Sequence, residues 1–288
     1  MHICAASATV LWALGYVMTR VAVRHFTPEA MAFLRYFVAA AAMLIFAFIK
    51  RLRLPAKRDI PLFILGGAAG FAVYVYALNM GARTLTASVV SFIVSSAPII
   101  TALLARIFLR ERMGLAGWIA VIAAFSGVGM ITSAGSKGLS LDTGAAWICL
   151  SAILISVYNV YQKKLLLRYT PLEITTYCIT AGALLLSVFA PRAFPQLASA
   201  PPFELAAILI LGVFSAAGAY ACWAYALSKA EKTSDVTSYM FLTPIITTFM
   251  GFIIINEAPD VYTYLGGFMV VCGVLLVNNR NWIFKHEI

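Results

Sequence analysis

Long apolar runs alternate with short polar breaks along the whole chain. Ten runs stand out, at 3–24, 30–49, 60–82, 85–108, 114–133, 143–166, 172–190, 203–228, 233–255 and 261–279. Each approaches the roughly 20 residues a helix needs to cross a bilayer. The longest break without helical pattern is "SAGSKGLSLDTG", 133–144. The pattern predicts an all-α integral membrane protein of ten transmembrane helices.

Two of the runs carry nearly the same phrase. "SSAPIITALLARIFLRE" spans 95–111 and "FLTPIITTFMGFIIINE" spans 241–257, so Pro98 pairs with Pro244 and Glu111 with Glu257 at one offset. "YALNMGARTLTAS" at 76–88 resembles "YALSKAEKTS" at 225–234, and "RHFTPEAMAFLRY" at 24–36 matches "LRYTPLEITTYCI" at 167–179. These matches predict two homologous five-span halves, 1–134 and 143–288, joined by a linker at 135–142. Five is odd, so the second half enters the membrane from the opposite side. Such inverted repeats are typical of transporters that alternate access around a midplane site. Each proline removes a helical hydrogen bond and frees a carbonyl. It acts either as a fixed kink or as a pivot for one half of its repeat.

Composition agrees with a bilayer as solvent. The 288 residues are 62% hydrophobic and 11% charged, with mean hydropathy +0.93. A soluble domain is nearer half apolar and a quarter charged. The net charge of +10 has no polar domain to carry it, which argues against a nucleic-acid partner. Of the 21 Lys and Arg residues, fifteen fall on the side of the N-terminus, five on the other, and Arg35 lies within the second run. By the positive-inside rule both termini are cytoplasmic, and the protein is a multi-pass protein of a bacterial-type cytoplasmic membrane. The first run lacks the basic start and cleavage site of a signal peptide and reads as a span. The five cysteines sit inside apolar runs without CxxC spacing and read as small hydrophobes.

All eleven acidic residues and all three histidines fall at or beyond span ends. A proton-coupled multidrug antiporter or a membrane-embedded enzyme needs such a group at mid-depth. No ion-channel selectivity filter or charged ring is present, and neither metal nor cofactor is implied. Arg20 and Lys163 occupy matching repeat positions near opposite faces. They either snorkel to the interface or act on the substrate path, attracting a carboxylate or closing a gate.

What the spans hold at mid-depth is aromatic, hydroxyl and amide: Trp12 and Tyr16 on the first, Tyr74 and Asn79 on the third, Ser91 and Ser95 on the fourth. Asn159 follows on the sixth, Tyr220 and Trp223 on the eighth, and Tyr239 on the ninth. Singly, such residues also glue helices together or form interfacial belts. As a set they suggest a cavity of stacking faces and neutral hydrogen bonds. That lining suits a zwitterion with an apolar body, such as an amino acid with a large side chain.

"LWALGYVMTRVAVRHFTPEAMAFLRYFVAAAAML" (11–44) and "PIITALLARIFLRER" (98–112) resemble the first two helices and the fourth helix of EamA-type members of the drug/metabolite transporter superfamily. The second half departs from the pattern, with "INEAPD" where the first has "LRERMG". The resemblance implies two inverted five-helix repeats around a central cavity. The first, third, fourth, sixth, eighth and ninth helices would line it, with the fifth and tenth peripheral. It also implies export of small metabolites, the aromatic amino acid exporters being the nearest subgroup. Drugs, nucleosides or another metabolite class are the alternative cargo.

Overall fold

The computed structural model describes residues 1–109, 115–134, 143–230, 236 and 238–278. Glu111, the linker at 135–142 and the segment from 279 onward lie outside the described residues, and so do Glu231, Asp235 and Thr237. Among those described, all regular structure is helical. We number the ten apolar helices α1 (His2–Ala22), α2 (Pro28–Lys50), α3 (Lys57–Gly81), α4 (Ala87–Phe108), α5 (Leu115–Ala134), α6 (Thr143–Leu165), α7 (Pro171–Ala198), α8 (Pro202–Ser228), α9 (Tyr239–Ile255) and α10 (Val261–Asn278). Seven are long and apolar enough to cross a membrane, and α5, α9 and α10 contribute shorter apolar stretches.

Local chemistry sets the helix starts. Thr27 and Thr170 each precede a proline, and each side chain accepts from a backbone N–H three residues on. At α7, Glu173 returns a bond to the Thr170 N–H and completes a capping box. Proline fits the first turn because its missing N–H has no helical partner there. Thr86 caps α4 in the same way.

Pro98 and Pro244 obey the same rule, so neither interrupts a continuous helix. The first part of α4 ends at Val94, and a new helical segment begins at Ala97 with Pro98 in its first turn. The break is held by serines. Ser95 Oγ donates to Ser91 O at 2.7 Å and Ser96 Oγ to Ile93 O at 2.6 Å. In α9 a 3₁₀ turn, Ser238–Leu242, precedes the segment that starts at Thr243 with Pro244 in its first turn.

Two further irregularities carry no proline. A π-helical stretch occupies Ala68–Val73 of α3, and another Ile210–Gly218 of α8. The seventh helix also runs past its predicted end at 190. It passes through a 3₁₀ turn, Ser187–Phe189, into Ala190–Ala198. There the Gln196 side chain accepts from Thr27 N at 2.8 Å, and the Gln196 carbonyl pairs with His25 Nε2 at 2.8 Å. This extension clamps the junction of α1 and α2.

The buried core is continuous through α1–α8 and α10. Within it α5 packs mainly on α10.

Candidate substrate-binding site

The aromatic residues of five helices form one connected cluster. Trp12 of α1 meets Trp223 of α8 at 5.0 Å between ring centroids and Tyr220 edge-on at 5.5 Å. Tyr220 meets Phe71 of α3 at 5.8 Å. Phe71 in turn meets Tyr158 of α6 at 5.1 Å and Tyr36 of α2 at 5.6 Å. Edge-to-face pairs at these spacings are favourable beyond the area they bury. Beside the cluster, Tyr16 and Tyr74 lie within electrostatic reach of each other.

Two glycines let the helices close around the cluster. At Gly70 an added Cβ would stand 2.5 Å from the ring of Tyr158. At Gly212, within the π-helical part of α8, it would stand 2.6 Å from Val38 Cβ and 3.0 Å from Arg35 O. Without those side chains α3 admits Tyr158, and α8 lies directly on α2. Trp12, Tyr16, Tyr220 and Trp223 keep partial exposure, and Tyr16, Tyr220 and Trp223 pack against buried residues.

Arg35 lies in the midst of this group. It is seven residues into α2, about 10 Å along the axis from Pro28, and only 8% exposed. The hydroxyls of Tyr16, Tyr36, Tyr74 and Tyr220 all lie within electrostatic reach of its guanidinium. The guanidinium carbon stands 5.7 Å from the Tyr36 ring centre. Its Nε is buried without a hydrogen-bond partner.

The predicted residues divide into two groups. Trp12, Tyr16, Tyr74, Tyr220 and Trp223 are brought together. The others serve local structure. Asn79 is fully buried, with Nδ2 donating to Pro28 O at 3.0 Å. Ser91 donates to Ser88 O, and Ser95 to Ser91 O, within their own helix. Asn159 sits between α4 and α6, near Thr101 and Gln162. The Tyr239 hydroxyl pairs with His2 Nδ1 at 3.0 Å, at the end of the bundle where the chain begins. Lys163 is exposed near the C-terminus of α6. Tyr36, Phe71, Tyr158 and Arg35 belong to the cluster without having been singled out. Tyr36 and Phe71 look like ordinary apolar-run aromatics, and Arg35 stood out only as a basic residue inside a span. The second helix thus joins the site, while α4 and α9 add no ring to it.

Arg20 occupies a different place. Its Nε donates to Glu257 Oε1 at 2.8 Å, and its Nη1 donates to the carbonyls of Ala82 at 2.7 Å and Arg83 at 3.2 Å. Glu257 Oε2 accepts from Ala87 N at 2.9 Å. Asn256, in the left-handed region at φ 55°, ends α9 and aims Glu257 inward. Asparagine tolerates that conformation better than most residues. One ion pair therefore ties the ends of α1, α3, α4 and α9. At the opposite end Asp59 accepts from Arg168 Nη1 at 2.9 Å and from the Tyr169 hydroxyl at 2.8 Å.

The model of the EamA-like transporter family matches residues 1–133 and 142–279, and the chain belongs to that family. An uncharacterized transporter of Bacillus subtilis, YdfC, is 33% identical over 95% of this chain and 90% of its own length. A probable terminal-alkyne amino-acid exporter of Streptantibioticus cattleyicolor is 32% identical over 94% of this chain and 91% of its own. An S-adenosylmethionine uptake transporter of Rickettsia prowazekii is 25% identical over 76% of this chain and 71% of its own.

Proposed function

We propose that this EamA-like transporter exports zwitterionic metabolites, amino acids with large or aromatic side chains above all, across a bacterial cytoplasmic membrane. The observation that carries the reading is the connected ring cluster of Trp223, Trp12, Tyr220, Phe71, Tyr158 and Tyr36. A large apolar side chain would find its stacking faces on the part-exposed Trp12, Tyr220 and Trp223, backed by the buried rings. The tyrosine hydroxyls beside it offer neutral hydrogen bonds to a polar head. The likeness to a probable amino-acid exporter points the same way. Likeness to an S-adenosylmethionine uptake transporter supports the second reading, another metabolite class carried by the same fold.

The transport cycle is alternating access between two inverted halves, with both termini cytoplasmic. In that frame the Arg20–Glu257 end faces outward, and its ion pair is the outer gate. The helix breaks before Pro98 and Pro244 are the pivots, one in each half. No mid-depth carboxylate is available among the described residues to carry a proton, so facilitated diffusion down the substrate gradient is the simplest energetics.

Labelled phenylalanine and proteoliposomes containing the purified chain, with no pH gradient, test this reading. The expected result is saturable uptake that unlabelled aromatic amino acids compete. Flux no greater than in empty vesicles, for every amino acid tried, would refute it.

A further inference from the structure

We infer that Arg35 is the receptor for a carboxylate on the transported substrate. The assignment deepens the proposed function, because it makes a carboxylate the required head of the cargo.

Arginine stays charged at any physiological pH. A charged side chain inside a membrane bundle is costly, and such residues ordinarily pair with one another or with backbone carbonyls. Arg35 does neither. Among the described residues it has no hydrogen bond and no ion pair, although it is buried on all but 8% of its surface. The described carboxylates with a cationic partner are engaged at the two ends: Glu257 with Arg20 and Asp59 with Arg168. Glu173 is held by Arg53 N and the Thr170 cap. None of them reaches Arg35.

Its surroundings do not make it a snorkelling side chain. Phe33, Leu34 and Tyr36 around it are buried, and the hydroxyls within its reach belong to α1, α2, α3 and α8. Of its nitrogens only Nε is sealed off without a partner. The terminal pair Nη1 and Nη2 is not sealed off as Nε is, and has no hydrogen bond among the described residues. A guanidinium presents two parallel N–H groups, which a carboxylate accepts in a bidentate pair. A single cation among neutral donors fits a monoanionic head; a phosphate dianion would draw on more than one.

The site is thus divided. Arg35 and the tyrosine hydroxyls take the charged head, and the Trp12–Tyr220–Trp223 face takes the apolar body. Both cargoes named for the relatives, an amino acid and S-adenosylmethionine, carry a carboxylate.

Ligand-dependent thermal stabilisation and competition for transport, on the full chain in wild-type, Arg35→Lys and Arg35→Gln forms, test the assignment. The probes are phenylalanine, phenylalaninamide, 3-phenylpropanoate and an uncharged nucleoside. In the wild type the two carboxylates outcompete the amide by about 10- to 100-fold, the weight of a charge-assisted bond. Arg35→Gln, if its unliganded melting temperature is preserved, brings acid and amide within about 3-fold of each other, and Arg35→Lys lies between. A merely structural arginine would lower stability or rate without moving that ratio. The assignment is overturned if folded Arg35→Gln keeps the acid preference, or if no carboxylate stabilises the wild type. It stands, and the amino-acid reading fails, if 3-phenylpropanoate binds and phenylalanine does not.

Discussion

Two arginines near one end of the bundle have opposite surroundings. Arg20 gives its protons to Glu257 and to two backbone carbonyls, tying four helix ends together. Arg35, deeper in α2, has no hydrogen-bond acceptor among the described residues and lies within electrostatic reach of the Tyr16, Tyr36, Tyr74 and Tyr220 hydroxyls. An arginine whose partners are all protein holds a conformation in place. One whose donors are unused has a partner that comes and goes. On the proposed reading the same side chain serves as latch in one place and receptor in the other, and perturbing each separates the roles.

The largest effect belongs to Arg35. Arg35→Gln weakens binding of phenylalanine by about 10- to 100-fold, the loss of a charge-assisted hydrogen bond, measured as the shift in half-saturating ligand. Next comes Trp12→Ala, which removes the ring joining Trp223 to Tyr220. Its expected cost is about 2- to 12-fold in affinity for phenylalanine, from about 0.5–1.5 kcal/mol of ring contact, and much less for alanine. Equal losses for both ligands would remove the aromatic face from the account.

A smaller effect on binding belongs to the latch. Arg20→Gln and Glu257→Gln change the rate of exchange between the two sides by several-fold while affinity stays within about 3-fold. Each frees an end that the ion pair now holds, and a double exchange, Arg20→Glu with Glu257→Arg, restores part of the rate. Smallest are Pro98→Ala and Pro244→Ala. Both prolines occupy first-turn positions where no helical bond is lost, so the melting temperature moves by no more than about 2–4 °C. Transport turnover drops more than stability does. Unchanged turnover in both variants would leave the prolines as helix starts alone.

The spans were legible because a bilayer imposes one length and one polarity on every helix. Nine of the ten helices keep to their apolar runs where they are described. The seventh outruns its apolar run because Pro191 sits in a first turn, where it does not end a helix. The prolines drew attention to the right places for a different reason: helix breaks there are made by Ser95, Ser96 and the 3₁₀ turn at Ser238–Leu242, and the prolines follow them. The π-helical stretches of α3 and α8 have no comparable sequence mark.

The site was half legible. Trp12, Tyr16, Tyr74, Tyr220 and Trp223 could be picked out as rings or hydroxyls at mid-span. Ser91 and Ser95 look the same in sequence, yet a hydroxyl can spend its bonding on nearby backbone, and these do, while Asn79 donates across to Pro28 O at the start of α2. Arg35 was visible as a charge but not as an unpaired one. Whether a buried cation has a partner is decided only when the helices meet.

The most direct test places both arginines in one binding assay: labelled phenylalanine held at equilibrium by wild-type, Arg35→Gln and Arg20→Gln proteins of matched stability. The expected result is about a 10- to 100-fold weaker affinity for Arg35→Gln and an affinity within about 3-fold of wild type for Arg20→Gln. Tight binding to Arg35→Gln together with its loss in Arg20→Gln would contradict it.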